Sequence, residues 1–96
     1  MDGFTRRQIV EILELEETFV VELENEAILF PDTPGEGPVY SLRMLERARV
    51  AQSLVGELEV NLAGVAVILR MREELGQARS VLRELAGRLH DQGVKL

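Results

Sequence analysis

The residues of this chain that could do chemistry are two adjacent carboxylate pairs and one histidine. Acid–base catalysis by two carboxylates needs both groups to converge on one cleft with separated pKa values. Neighbouring residues of a helix point about 100° apart, so neither Glu16–Glu17 nor Glu73–Glu74 is placed to converge. The single His90 cannot build a multi-histidine metal site. We therefore expect no catalytic residues, no metal site and no cofactor, in a protein that is not an enzyme.

The composition narrows the class of protein further. With 96 residues, the chain is short enough for a single domain, and its lack of cysteine excludes disulfides and thiolate chemistry. The longest apolar run, residues 63–69, is far too short to span a membrane. No apolar run follows the charges at the N-terminus, so we expect no signal peptide. The simplest interpretation is a cytoplasmic protein without a membrane segment.

The net charge of −6 is distributed unevenly. Residues 1–40 contain ten acids and two bases, whereas residues 41–96 contain nine bases and seven acids. The acidic segment would repel nucleic acid, because affinity for DNA comes mainly from neutralising phosphates. It would attract a basic partner, although acids that only keep a small domain soluble are also common. We therefore do not expect the chain to bind DNA.

The first half of the chain is predicted to form two short helices. A capping box from Thr5 to Gln8 starts helix 1, which runs to about Leu13. Helix 2 covers about Glu17 to Glu26 and repeats apolar residues at helical spacing. Two short helices joined by a tight turn are typical of a helix-turn-helix. The side chains expected to face inward are Ile9, Ile12, Leu13, Phe19, Val20 and Leu23.

The middle of the chain is predicted to form a wing and a third helix. All three prolines lie in residues 31–38, which are therefore a loop. The apolar flanks of that loop, residues 27–30 and 39–40, are expected to pair as a small hairpin. Ser41 is a favourable N-cap for helix 3, which runs from about residue 42 to residue 58. The arginines expected to lie mostly on the solvent side of helix 3 are Arg43, Arg47 and Arg49.

The C-terminal part is predicted to be one long helix, helix 4, capped by Asn61 and reaching about Leu89 or beyond. Its apolar residues alternate by three and four over about three heptads, which is typical of a coiled-coil seam. An exposed apolar stripe of this length would be unfavourable in water, so we expect a homodimer. A shorter stripe of Leu62, Val65 and Leu69 is expected to pack on the N-terminal half. The predicted dimerisation residues are Ile68, Met71, Leu75, Ala78, Leu82, Leu85 and Leu89.

The start of helix 4 also carries a resemblance to a known family. Asn61-Leu62-Ala63-Gly64-Val65, followed by Ile68-Leu69, resembles a signature of MerR-like proteins tied to heat-shock chaperones. The same signature occurs in HspR-type repressors and in the chaperone-modulator (CbpM) family. The resemblance implies an all-α fold, with an acidic, degenerate MerR-like winged helix-turn-helix in residues 1–60. A long helix in residues 61–96 would then dimerise as one of an antiparallel pair.

The acidity of helix 2 bears on which kind of MerR-like regulator this is. DNA-binding MerR relatives usually carry Arg and Tyr in this helix, whereas here it has four Glu and no Lys or Arg. That departure favours the chaperone modulators, which bind the J-domain of a DnaJ-like co-chaperone and restrain its action on a DnaK-type chaperone. The alternatives are a MerR/HspR-like repressor of heat-shock genes and an assembly factor that bridges the two chaperones. The acids expected to meet a basic J-domain surface are Glu16, Glu17, Glu22, Glu24 and Glu26.

Overall fold

The computed structural model describes residues 3–31 and 39–93, which are mostly helical. The described elements form a helix-turn-helix followed by a long helix, so the predicted all-α fold class is confirmed. The observed helix ends lie within about two residues of the predicted ones. In chain order the elements are β1 (Phe4–Thr5), α1 (Arg6–Leu13), α2 (Glu17–Asn25), β2 (Val39–Tyr40), α3 (Leu42–Gly56) and α4 (Leu62–Asp91).

Side-chain caps determine where three of these helices begin. The Thr5 hydroxyl accepts a hydrogen bond from the Gln8 amide at 3.1 Å, and the Gln8 side chain accepts one from the Thr5 amide at 2.8 Å. The side chains of Ser41 and Asn61 each accept a hydrogen bond from the backbone amide three residues further along the chain, at 3.3 and 2.8 Å. Each cap satisfies an N–H group that the helix itself leaves without a partner. The predicted starts of α1, α3 and α4 are therefore confirmed.

The two strands form an antiparallel pair in which Phe4 lies opposite Tyr40. This pairing corrects the prediction that residues 39–40 pair with residues 27–30. Strand propensity describes each short segment by itself, so it could not identify a partner so distant along the chain. Most of the predicted proline-rich loop, residues 32–38, lies outside the described residues.

Residues 27–30 instead close the C-terminal end of α2. The amides of Ile28 and Leu29 both donate to the carbonyl oxygen of Leu23, at 2.9 and 3.1 Å. The side chains of Ile28 and Leu29 are buried in the core. This turn places Ala27 at a φ of 56°, in the left-handed region that glycine adopts most readily.

The turn after α2 leads to a stability prediction. Replacing Ala27 with glycine should stabilise the fold by about 1 kcal/mol, because a Cβ in the left-handed region costs roughly that much. For a domain of this size the melting temperature should rise by about 4–8 °C. The matched control is Ala63→Gly in the first turn of α4, which should lower stability slightly through helix propensity. Thermal unfolding followed by circular dichroism measures both, and a lower melting temperature for Ala27→Gly would contradict the prediction.

One hydrophobic core receives side chains from all four described helices. The first turns of α4 belong to it, as the shorter apolar stripe predicted, because Val65 and Leu69 are buried there. One inward prediction is wrong, since Ile12 is 53% exposed. The helix α1 is turned so that Val10 lies partly buried in its place. The other fully buried helical residues are Ile9, Val20, Leu23, Met44, Ala48 and Ala51.

Beyond Leu69, α4 extends away from the core. The helix has 30 residues, or about 45 Å at 1.5 Å per residue, and the molecule measures 54 × 34 × 20 Å. Within the described ranges, even this helix lacks the sustained apolar run needed to cross a membrane. Its predicted seam residues are exposed in the single chain, with Leu82 at 65%. We refer to Ile68, Met71, Leu75, Ala78, Leu82, Leu85 and Leu89 as the α4 stripe.

Candidate functional site

The outward side of α2 is the candidate site, because the second helix of a helix-turn-helix is the one that meets a ligand. Val20 and Leu23 face inward and are buried, whereas Glu17 and Glu22 are exposed. Glu26, which caps the C-terminal end of the helix, is exposed as well. The helix contains no Lys or Arg. Glu17, Glu22 and Glu26 are spread around the exposed sides of α2 and are here called together the acidic α2 surface. They offer a partner carboxylates, and α2 itself supplies no cation that would hold a phosphate.

Glu24 does not belong to that surface. Its carboxylate forms an ion pair with Arg6 at 2.9 Å and accepts a hydrogen bond from the Tyr40 hydroxyl, and its side chain is only 16% exposed. This corrects the expectation that Glu24 points freely toward a partner. Burial, together with the hydrogen bond to Glu24, raises the pKa of Tyr40 to about 12, so the hydroxyl stays protonated at neutral pH. Glu24 thus joins α1, α2 and β2, which is a structural role.

The adjacent acids Glu16 and Glu17 face different parts of the surface. Glu17 lines a shallow cavity beside Arg6 and Arg7, between α1 and α2. Glu16 lines a separate groove that includes Phe19 and extends toward α3. The divergence follows from the turn of about 100° between neighbouring helical positions. The five acids predicted to bind a partner therefore do not share one surface.

Arg47 joins three parts of the fold. Its Nε donates a hydrogen bond to the Ile28 carbonyl oxygen at 2.8 Å, and its Nη1 donates one to the carboxylate of Glu73 on α4. The guanidinium also lies over the Phe30 ring, 5.5 Å from the centroid. The side chain is only 12% exposed, which corrects the prediction that it faces solvent. Since Glu73 lies just past the core, Arg47 helps to determine the direction in which α4 leaves it.

A second arginine completes this group. Arg43 lies 3.1 Å from the Glu73 carboxylate and is 55% exposed, so its predicted place on the solvent side is confirmed. Burial would raise the pKa of Glu73, but hydrogen bonds and the charges of Arg47 and Arg43 outweigh it and hold this pKa below its usual value. Glu73 therefore stays ionised at neutral pH. We call Arg43, Arg47 and Glu73 the arginine clamp.

Two kinds of exposed group characterise the described surface, namely carboxylates and apolar side chains. Within residues 3–31 and 39–93, no three acidic or histidine side chains come together where they could hold a metal ion. Exposed carboxylates on α2 and apolar side chains along α4 are the prominent features. Such groups can attract a basic partner and bury apolar surface against another helix. The fold and these exposed groups together define a helix-turn-helix protein with an acidic second helix and a long helix that carries an exposed apolar stripe.

Comparison with known proteins identifies the family of this protein. The model of the MerR HTH family of regulatory proteins matches residues 4–86. No curated protein and no solved structure gave a significant match to the chain. Because the family match covers most of the chain, this protein belongs to the MerR HTH family of regulatory proteins. The MerR-like resemblance expected from the start of α4 is thereby confirmed.

Proposed function

We propose that this protein is a non-enzymatic modulator that binds the J-domain of a DnaJ-like co-chaperone and regulates its action on a DnaK-type chaperone. Membership of a regulatory family supports a role in control. The resemblance of residues 61–69 to the chaperone-modulator family supports the co-chaperone as the partner. The observation that carries the proposal is the acidic α2 surface, where DNA-binding relatives place basic side chains.

Occupation of a surface is sufficient for this kind of regulation. A J-domain stimulates its DnaK-type partner through a basic helical face, so a protein covering that face would compete with the chaperone. Within the described residues, Glu17, Glu22 and Glu26 form no ion pair with a Lys or Arg, so they remain available. Exposed charges of this kind steer association more than they set the final affinity. The expected effect is competitive inhibition without covalent chemistry.

A charge-reversal variant tests this proposal. Replacing Glu17, Glu22 and Glu26 together with lysine should weaken binding of an isolated J-domain about 10–100-fold, because three attractions become repulsions. Glu24 is left unchanged, since its contacts with Arg6 and Tyr40 support the fold. Isothermal titration calorimetry measures the affinity. Binding of the wild type should also weaken as salt rises, because exposed charges are screened over about 8 Å at physiological ionic strength.

The control carries the same change of charge on a different element. The control variant replaces three acids of α4 with lysine: Glu74, Glu84 and Asp91. It changes the net charge by as much as the α2 variant does, but it should leave the affinity for the J-domain near that of the wild type. If the α2 variant binds as tightly as the wild type, or if binding is indifferent to salt, the acidic α2 surface is not where the J-domain binds. A stable ternary complex with the DnaK-type chaperone would instead support the bridging alternative.

A further inference from the structure

A groove separate from the acidic α2 surface lies between the α1–α2 turn and the C-terminal end of α3. Its apolar side chains are Leu15, Phe19 and Val55, each partly buried against the core. Glu14 and Glu16 line it as well, and both are exposed. We call this the α1–α3 groove. It combines an apolar surface with a rim of negative charge.

The remaining polar groups around the α1–α3 groove reinforce that character. Gln52 lines the groove, but its side-chain amide already donates to the Leu13 carbonyl oxygen at 2.9 Å. Among the described residues, no lysine or arginine lines the groove. Directly after Gly56, which ends α3 and lines the groove, the chain continues through the exposed acids Glu57 and Glu59. An apolar groove whose charged lining residues are both glutamates favours a ligand that is apolar and positively charged.

We propose that the α1–α3 groove binds one amphipathic helix of a protein partner. The apolar ridge of that helix lies against Phe19 and Val55, and its flanking Lys or Arg side chains meet Glu14 and Glu16. Helices bind in grooves through apolar residues at positions i, i+3 and i+4, which leaves neighbouring positions for charges. An acidic helix would place carboxylates against the two glutamates and be repelled.

This inference rests on the proposed function, because both require a basic protein as the partner. The groove adds an apolar contact that the acidic α2 surface does not contain. Buried apolar contacts usually dominate the affinity of an interface, whereas rim charges mainly affect the rate of association. Changes in the α1–α3 groove should therefore act mostly on dissociation. Changes on the acidic α2 surface should act mostly on association and on its dependence on salt.

A variant at Gly56 tests the groove without removing any of its contacts. A Cβ at Gly56 would meet no other atom within 4 Å, so Gly56→Met can project a longer side chain there without disturbing the core. The matched control is Gly87→Met on α4, where a Cβ would also meet nothing within 4 Å. Two probes are titrated into isotopically labelled protein: an isolated J-domain and a designed helical peptide of leucine and lysine. Backbone amide NMR signals report affinity and site.

The expected result is that both probes shift the amide signals of Phe19 and Val55. Gly56→Met should weaken binding about tenfold or more, whereas Gly87→Met should leave it unchanged. Glu14→Gln combined with Glu16→Gln should slow association about three- to tenfold at low salt, by removing the rim charges. The Glu16 side chain forms no capping hydrogen bond, so this change leaves the start of α2 intact.

The outcomes separate this inference from the proposed function. If the J-domain binds the wild type and Gly56→Met equally well and shifts the signals of Glu22 and Glu26 but not those of Phe19 and Val55, the groove inference is overturned while the proposed function stands. If the J-domain does not bind at all, the proposed function fails, and the titration with the helical peptide then tests the groove by itself. Peptide-induced shifts at Phe19 and Val55 that Gly56→Met abolishes support the inference, and their absence overturns it. Shifts of these signals on dilution of the protein alone would assign the groove to a second copy and also overturn it.

Discussion

Leu82→Glu should be a monomer at micromolar concentration in analytical ultracentrifugation, whereas we propose that the wild type is a homodimer joined through α4. Leu82 lies in the middle of the α4 stripe and is 65% exposed in the single chain. The stripe extends from Ile68 to Leu89, roughly 30 Å along the helix, with the three- and four-residue alternation of a coiled-coil seam. A glutamate in such a seam is an unpaired buried charge, which costs on the order of 3–5 kcal/mol.

The control adds the same charge to the opposite face of α4. In the heptad that places Leu82 in the seam, Ser80 lies on the outer side of the helix, so Ser80→Glu should leave the dimer intact. Circular dichroism should show that both variants keep their helices. A wild-type protein that is monomeric at micromolar concentration would contradict the heptad interpretation, as would equal dissociation of both variants.

Arg47→Met should lower the free energy of unfolding by about 2 kcal/mol, because a buried acceptor that loses its donor costs about that much. The substitution keeps a side chain of similar volume against the Phe30 ring but leaves the Ile28 carbonyl oxygen without the Arg47 donor. It also removes one of the two cations beside Glu73. In a domain of this size the melting temperature should fall by about 8–16 °C.

Arg43→Met is the matched control for the arginine clamp. Arg43 contacts the same carboxylate of Glu73 but is 55% exposed, and ion pairs at exposed positions contribute only about 0–1 kcal/mol. The melting temperature of the Arg43→Met variant should therefore stay close to that of the wild type. Equal losses for the two variants would mean that the attraction to Glu73 matters and the contacts of Arg47 with Ile28 and Phe30 do not. Thermal and urea unfolding followed by circular dichroism measure both variants.

The features that the sequence predicts well are local ones. The capping box of Thr5 and Gln8 and the N-caps Ser41 and Asn61 each join residues three apart, so their spacing alone indicates the helix starts. The apolar patterns of α4 are local as well: the repeat from Ile68 to Leu89 predicts the length of the helix, and the shorter stripe that contains Val65 predicts its first contacts with the core. These features depend on nothing distant in the chain.

The features that the sequence misses depend on residues far apart in the chain. Arg47 is drawn into the fold by Ile28 and Glu73, which lie 19 and 26 residues away. A weak signal was present, because Arg47 follows the buried Met44 by three residues and therefore sits beside the inward stripe of α3. The sequence nevertheless predicts that this side chain faces solvent, because arginine is usually exposed.

Glu24 illustrates the same limit for the candidate site. It lies one turn after the buried Val20, so its position on α2 points toward the interior. Only the tertiary structure brings Arg6 and Tyr40, which lie 18 and 16 residues away, against its carboxylate. The α1–α3 groove was missed for a related reason, because it arises where the α1–α2 turn meets the far end of α3.

Binding to a J-domain and binding to DNA can be compared under one condition. Fluorescence anisotropy at physiological salt measures binding of the protein to a labelled isolated J-domain and to a labelled DNA fragment from its own promoter. Because the acidic α2 surface carries exposed carboxylates and α2 has no Lys or Arg, we predict saturable binding of the J-domain and no specific binding of the DNA. Sub-micromolar, sequence-specific binding of the promoter without binding of the J-domain would contradict the account and identify a repressor.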